Sequence, residues 1–338
     1  MASDTALTEH APEAVYREKR DQYLRVALML FARYGTLLAL GVMFIAFSIQ
    51  ASGFLTTGNL LNVLSQISIT AIIAGGLTIV LAAGEFDLSI GWVASFAGVM
   101  VTGLMAHQHL SILVAILVAL ALGASIGIFN GLIVTKLGVN ALIATLGTGT
   151  VVVGFNYLYG SGLSISLGIP PSFSNIALSK AIPSIPNPIV IMAAVFALLW
   201  VFLNLTARGQ EVQAVGGNAE ASRLSGIRVE RVKILAFAIS GTCAAAGGVL
   251  LASLLGSGQS TAGDSYLLDA FAAVFLGSAA LRDGEFHIVG TLIGVLTVGI
   301  GFNGLALFGA ATFYQYMFKG GLLIAAVALS SIARRYAK

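Results

Sequence analysis

Long apolar runs separated by short polar connections dominate this chain. A helix that spans a bilayer needs about 20 mostly apolar residues. The runs fall at 34–52, 60–83, 89–106, 110–135, 141–160, 188–205, 233–255, 266–281, 287–309 and 313–332. They predict an all-α polytopic membrane protein of about ten transmembrane helices. Gly and polar residues interrupt 60–83 and 89–106, so either is expected to be broken or re-entrant. A bilayer tolerates that only where the backbone is buried in protein or lines a cavity. The reading divides the chain into a polar, basic segment 1–33, a membrane domain 34–332 and a tail 333–338. Two connections are long: 161–187, rich in Ser, Gly and Pro, and 206–232, with mixed charges.

Composition sharpens the picture. Only 9% of the 338 residues are charged, 58% are apolar, and mean hydropathy is +0.96. A soluble domain carries roughly 25% charged residues, so a soluble enzyme is nearly excluded. The 40 glycines lie scattered inside apolar runs, which predicts close helix contacts rather than linkers. Gly123, Gly127 and Gly131 recur at four-residue spacing, and packing within the chain is favoured there over a dimer interface. Cys243 is a lone cysteine in an apolar run and is read as packing.

The net charge of +3 is modest; its distribution is more informative. With ten spans and the N-terminus inside, all but two of the 17 basic residues fall on the cytoplasmic side, as the positive-inside rule requires. The exceptions are Lys180, in the outer loop 161–187, and Lys319, within the last span and expected to snorkel outward beside Tyr314 and Tyr316. Both termini are then cytoplasmic. No secretory signal pattern opens the chain. No basic stretch is interleaved with aromatics, so nucleic acid is not an expected partner.

The inside loop contains Gly216-Gly217-Asn218, a turn signal. Asn218 is placed to cap a short helix over Ala219–Ser225, with Gly226 ending it. Such a helix between two spans fits a groove on a cytoplasmic partner; an ordinary basic loop that only sets topology fits the spacing as well. Asp87 lies between the two interrupted runs. It is read first as a cap, accepting from the N–H groups of Ser89 and Ile90, and second as a substrate contact. Glu85 is read as solvated at the inner interface. Gln66, Asn130, Asn156, Asn303 and Gln315 are neutral polar groups within spans. Carboxamides bond sugar hydroxyls as donor and acceptor together, and they equally bond across helices. Asp264 and Asp269, at the outer end of the eighth span, fit a basic surface on a delivery protein or a solvated loop.

Several motifs carry a resemblance. Glu220-Ala221-Ser222 followed by Gly226 resembles the coupling loop of ABC importer permeases. The string Ala214-Val215-Gly216-Gly217-Asn218 through Arg223-Leu224-Ser225-Gly226-Ile227 is more similar to the ribose-type, monosaccharide permeases of binding-protein-dependent systems. Phe54-Leu55-Thr56 with Asn59 to Gln66 resembles that family's entry to its second span. Gly84-Glu85-Phe86-Asp87-Leu88-Ser89-Ile90-Gly91 is similar to its Gly-Gly-Ile-Asp-Leu-Ser-Val-Gly motif. Weaker echoes are Asn130-Gly131, Ala144-Thr145-Leu146-Gly147 and Asn303-Gly304. The departure is Glu85-Phe86 in place of Gly-Ile, which adds an acid and a side chain and bears on the local backbone geometry.

The resemblance implies a permease of the bacterial inner membrane. A second permease copy would pair with it in the lipid. A periplasmic or lipid-tethered solute-binding protein would deliver a monosaccharide or similar polyol. An ABC ATPase would dock at Gly216, Gly217, Asn218, Glu220, Ala221, Ser222, Arg223 and Gly226. The chain lacks any Gly-Lys dipeptide and so any P-loop; ATP is expected on the partner, with no cofactor or metal here. No protease motif and no paired intramembrane aspartates occur, and the four histidines are dispersed. An enzyme is not expected. A stand-alone secondary transporter or channel is the alternative reading, since such carriers often contain broken helices.

Overall fold

The structure is a computed structural model that describes residues 34–281 and 284–336, with side chains to residue 328. The basic residues of 1–33, Arg282 and Lys338 lie outside the described residues. Every predicted apolar run holds a helix. In chain order the first are α1 (Tyr34–Gln50), α2 (Thr57–Ala82), α3 (Ile90–Ala106), α4 (Ile112–Lys136) and α5 (Ala141–Gly160). The connection 161–187 adds an unpredicted short helix, α6 (Pro171–Leu178), before α7 (Asn187–Leu205). The connection 206–232 folds as α8 (Ala207–Gly217) and α9 (Ala219–Leu224). Then come α10 (Val229–Leu255), α11 (Asp264–Ala279), α12 (Ile288–Leu307) and α13 (Thr312–Tyr336). Among the described residues there is no strand, only two isolated bridges, one of them tying Ile165 to Gly258.

Among the described residues, six helices (α2, α4, α5, α7, α10 and α12) are long and apolar enough to cross a membrane. The predicted ten therefore exceed what length and composition establish. At 17 residues, α3 reaches about 26 Å, against about 30 Å for the hydrocarbon core.

The helix α2 is the axis of the molecule: residues 67–81 are all buried. A helix apolar all round is a helix surrounded by others. Its Gly75-Gly76 interruption does not break it. A Cβ on Gly75 would lie 2.8 Å from Leu199 of α7, and one on Gly76 2.5 Å from Cys243 of α10. The polar-looking gap in the run is thus a packing device, and the break comes after it, at 83–89. The α4 glycines act the same way against α10. A Cβ on Gly127 would meet the Phe237 carbonyl at 2.1 Å, and one on Gly123 the Gly241 carbonyl at 2.4 Å. Lipid tails offer no hydrophobic drive between helices, so close van der Waals approach holds them together. Outward faces are apolar, with Leu113, Leu117 and Phe129 on α4 and Leu198 and Leu205 on α7 exposed.

Candidate functional site

The connection 206–232 is ordered by side chains that satisfy helix ends. Thr206 Oγ1 accepts from the Gly209 N–H at 3.1 Å and caps α8. The Gln213 amide donates to the Leu203 carbonyl at 2.7 Å and Gln210 to the Asn204 carbonyl at 3.0 Å. These are carbonyls that the end of α7 leaves free, so α8 folds back under α7. Its far end packs on the end of α2. Gly216 lies so close that a Cβ there would sit 1.9 Å from the Ala82 carbonyl oxygen. Gly84, with φ +82°, faces Gly216 across this junction.

Asn218 then caps α9, its Oδ1 accepting from Glu220 N–H at 3.1 Å and Ala221 N–H at 3.0 Å. The helix ends at Leu224, one residue before the predicted end. Gly226, with φ +86°, closes it. Its N–H donates to the Arg223 carbonyl and the Ile227 N–H to the Ser222 carbonyl, both at 3.0 Å, the paired closure of a Schellman motif. Glu220 stands in the first turn and Arg223 in the last, each matching the helix dipole. Ser222 is buried; Glu220, Ala221, Arg223 and Leu224 face outward. Leu224 is 85% exposed.

The turn 83–89 holds the second motif. Asp87 is fully buried. Its Oδ1 accepts from the Ser89 N–H at 3.0 Å and Ser89 Oγ at 2.6 Å, and its Oδ2 from Ser240 Oγ at 2.8 Å. The expected bond from Ile90 is replaced by the Ser240 bond, because α10 runs beside this segment. Ser89 Oγ in turn accepts from the Asn130 amide at 3.0 Å. One carboxylate thereby knots α3, α4 and α10. Gly91 packs at the start of α3 against the Gly263 carbonyl.

Glu85 is not solvated, as expected from sequence, but paired with Lys233 of α10, the side chains 15% and 20% exposed. The two residues from Glu85 to Asp87 run along α10, from the level of Lys233 to that of Ser240. This climb of non-helical backbone into the protein explains why α3 starts late. The second run is an unbroken helix, and the third is preceded by a non-helical segment that is buried at Asp87 and Ser89 and partly buried at 85, 86 and 88.

The carboxamides separate into two groups. Asn130 is buried in the Asp87 knot. Asn156 is buried and donates to the Ser260 carbonyl at 2.8 Å. Asn303 and Asn59 exchange amide hydrogen bonds at 2.9 Å each. All three bond within the protein: Asn130 to the N-cap of α3, Asn303 to Asn59 of α2, and Asn156 to the connection between α10 and α11. Gln66 is exposed, just before the buried stretch 67–81 of α2, and Gln315 is half-buried.

Lys319 does not snorkel. It turns inward to an ion pair with Asp269 at 2.6 Å, both side chains 12% exposed, and lies 5.7 Å from the Phe302 ring centre. Asp264 accepts from Ser95 Oγ at 3.1 Å. Asp264 is half-buried and Asp269 buried, so neither expected role, a delivery-protein surface or a solvated loop, describes Asp269. Sequence reading also missed His287, which caps α12 through Nδ1 and the Gly290 N–H at 3.0 Å; the signal was its place just before an apolar run.

The comparisons with known proteins agree with one another. Residues 59–327 match the family described as branched-chain amino acid transport system / permease component. The chain is 40% identical over 298 residues to the ribose import permease protein RbsC of Bacillus subtilis (strain 168), covering 88% of this chain and 92% of that protein. It is 38% identical over 295 residues to the RbsC protein of Escherichia coli (strain K12), covering 86% and 91%. It is 34% identical over 298 residues to the L-arabinose transport system permease protein AraH of the same strain, covering 88% and 90%. No solved structure matches. With most of its length matched by permeases, the chain belongs to the branched-chain amino acid transport system / permease component family.

Proposed function

We propose that the chain is the membrane-spanning permease subunit of a bacterial ABC importer for a monosaccharide, with pentoses the first class to test. It crosses the inner membrane ten times, pairs with a second permease copy, and has both termini in the cytoplasm. A solute-binding protein delivers substrate from outside. A separate ATPase docks below on Gly216 to Gly226 and hydrolyses the ATP. The gate alternates because nucleotide-bound and nucleotide-free motors prefer different permease shapes; a motor without that differential affinity would move nothing.

The observation that carries this reading is α9: a six-residue helix closed at both ends by its own caps, holding Leu224, Glu220 and Arg223 away from the body. A loop that only set topology would need no such rigid, outward presentation of an apolar side chain. The ribose and L-arabinose names of the relatives support a sugar over a branched-chain amino acid. So does the state of the buried acids. Asp87 and Asp269 are held by internal partners, leaving neither to meet the ammonium of an amino acid. Gln66 and Gln315 are the candidate path residues.

The test is reconstitution in liposomes, with ribose, L-arabinose and leucine as probes. Pentose accumulation that requires the ATPase, ATP and binding protein is expected. Leu224→Asp is expected to abolish ATPase co-purification with the permease still folded. Asn218→Ala is expected to weaken docking while costing the permease about 1 kcal/mol. Gradient-driven uptake by the permease alone, or full ATPase binding by Leu224→Asp, refutes the assignment.

A further inference from the structure

The segment Gly216–Lys233 is clamped at both ends to one place, the turn that ends α2. At its start, Gly216 abuts the Ala82 carbonyl and faces Gly84. At its finish, Lys233 in the second turn of α10 pairs with Glu85. Glu85 also forms a shared wall between two clefts. One, of about 410 Å³, is bordered by Gly216 and Gly217. The other, of about 330 Å³, is bordered by Arg223 and Lys233. A second ion pair, Lys136 with Glu230, ties α4 to α10, and Glu230 borders the same second cleft.

We infer that Glu85 and Lys233 are positioning residues that make α8, α9 and the α2–α3 turn move as one body, so that displacement of α9 is delivered through Glu85 to the Asp87 segment and α3. The inference rests on the ATPase docking at α9 proposed above. The mechanics follow from the chain path. Glu85 is two residues from Asp87, and the backbone between them is non-helical and tied at both ends, by Lys233 at Glu85 and by Ser240 at Asp87. So short a segment, fixed at both ends, passes on a displacement that a long free loop would absorb. Asp87 is joined to Ser89 and Ser240, so a pull arriving there reaches the first turn of α3. Next in that turn stands Trp92, against Gly149 of α5, where a Cβ would meet the indole at 2.1 Å. No room exists for α3 to shift without changing the surroundings of that ring.

The pair is suited to this work because it is partly sheltered. An exposed pair is weakened by solvent and long side-chain entropy. With side chains 15% and 20% exposed, this one is held by the protein on most sides. Removing one partner leaves a sheltered charge alone, whereas removing both does not. A double-neutral variant therefore separates a coupling role from a folding role.

The test uses the complete importer, with 5-fluorotryptophan incorporated in the permease alone and Trp200 replaced by Phe, so that Trp92 is the sole fluorine reporter. Vanadate trapping of nucleotide in the ATPase is expected to shift the Trp92 resonance. Glu85→Gln/Lys233→Met is expected to fold, to retain the ATPase in the wild-type ratio and to trap nucleotide, yet to lose most of that shift. The exchange Glu85→Lys/Lys233→Glu is expected to restore at least half of it. A wild-type shift in the double-neutral variant overturns the inference, as does an unmoved resonance in the parent or an exchange variant that restores nothing. Absence of ATPase from the parent complex is a different result, and strikes the docking proposal instead.

Discussion

Adjacent glycines at the end of α8 provide a demanding check, since the same substitution at each should have opposite effects. A Cβ on Gly216 would lie 1.9 Å from the Ala82 oxygen and 2.8 Å from its carbonyl carbon; one on Gly217 would meet nothing within 4 Å. Ordinary contact begins near 3.4 Å, so Gly216→Ala must open the α8–α2 junction by about 1.5 Å. Both sides of the clash are backbone, and no rotamer change relieves it. Overpacking of this kind costs about 1–3 kcal/mol. Ala for Gly in a helix returns at most about 1 kcal/mol. Gly216→Ala is therefore expected to destabilise by about 1–2 kcal/mol, and Gly217→Ala to be neutral or stabilising by up to about 1 kcal/mol. Denaturant unfolding of the purified permease in mild detergent reads the difference. Transport should follow stability at Gly216, because the junction fixes where α9 stands, and should be retained at Gly217. Equal effects at the two positions, or a neutral Gly216→Ala, would falsify the close approach of α8 to α2.

Other variants probe the buried charges. Asp87→Ala leaves the Ser89 and Ser240 hydroxyls without their acceptor and is expected to cost at least about 3 kcal/mol, while Ser240→Ala, which removes one of the bonds, costs about 1–3 kcal/mol; thermal unfolding ranks the two, and the reverse order contradicts the knot. Lys319→Met strands a sheltered Asp269 and is expected to cost about 3–5 kcal/mol, whereas Lys319→Met with Asp269→Asn recovers most of that; a double variant as unstable as the single one contradicts the pair.

The helices were legible because lipid imposes one requirement on every spanning segment, an apolar run that satisfies its own backbone. The caps were legible too. Asn218 and Gly226 do locally what their side chain and backbone freedom allow, whatever the rest of the chain does. What could not be read was pairing across the fold. Nothing near Glu85 in sequence announces Lys233, and nothing near Lys319 announces Asp269. Each looked exposed because a lone charge at the edge of an apolar run is normally solvated. Glycine had the opposite problem. Gly75 and Gly76 resembled a break because a glycine pair weakens an isolated helix. In the fold they face Leu199 and Cys243, and the absent side chains are what lets α7 and α10 approach. The carboxamides left two readings open for a related reason: an amide inside a span needs a partner, and sequence alone does not distinguish a neighbouring segment from a solute.

Glu85-Phe86 stand where the motif that this turn resembles has Gly-Ile, and the geometry of the turn accommodates both side chains. Positive φ in this turn falls on Gly84 and not on residues 85 or 86. The left-handed conformation that requires glycine is therefore supplied before the departure begins, and residues 85 and 86 accept side chains without strain. Each added side chain then finds a partner in another helix. Glu85 meets Lys233. Phe86 stacks on Phe271 and Phe275 of α11, ring centres 6.4 and 6.5 Å away, and Phe275 meets Phe286 edge-on at 5.4 Å. Offset and edge contacts of this kind each add about 0.5–1.5 kcal/mol beyond burial. Glu85 thus contributes one electrostatic tie to α10 and Phe86 one aromatic tie to α11, and the turn that carries Asp87 is fastened on two sides.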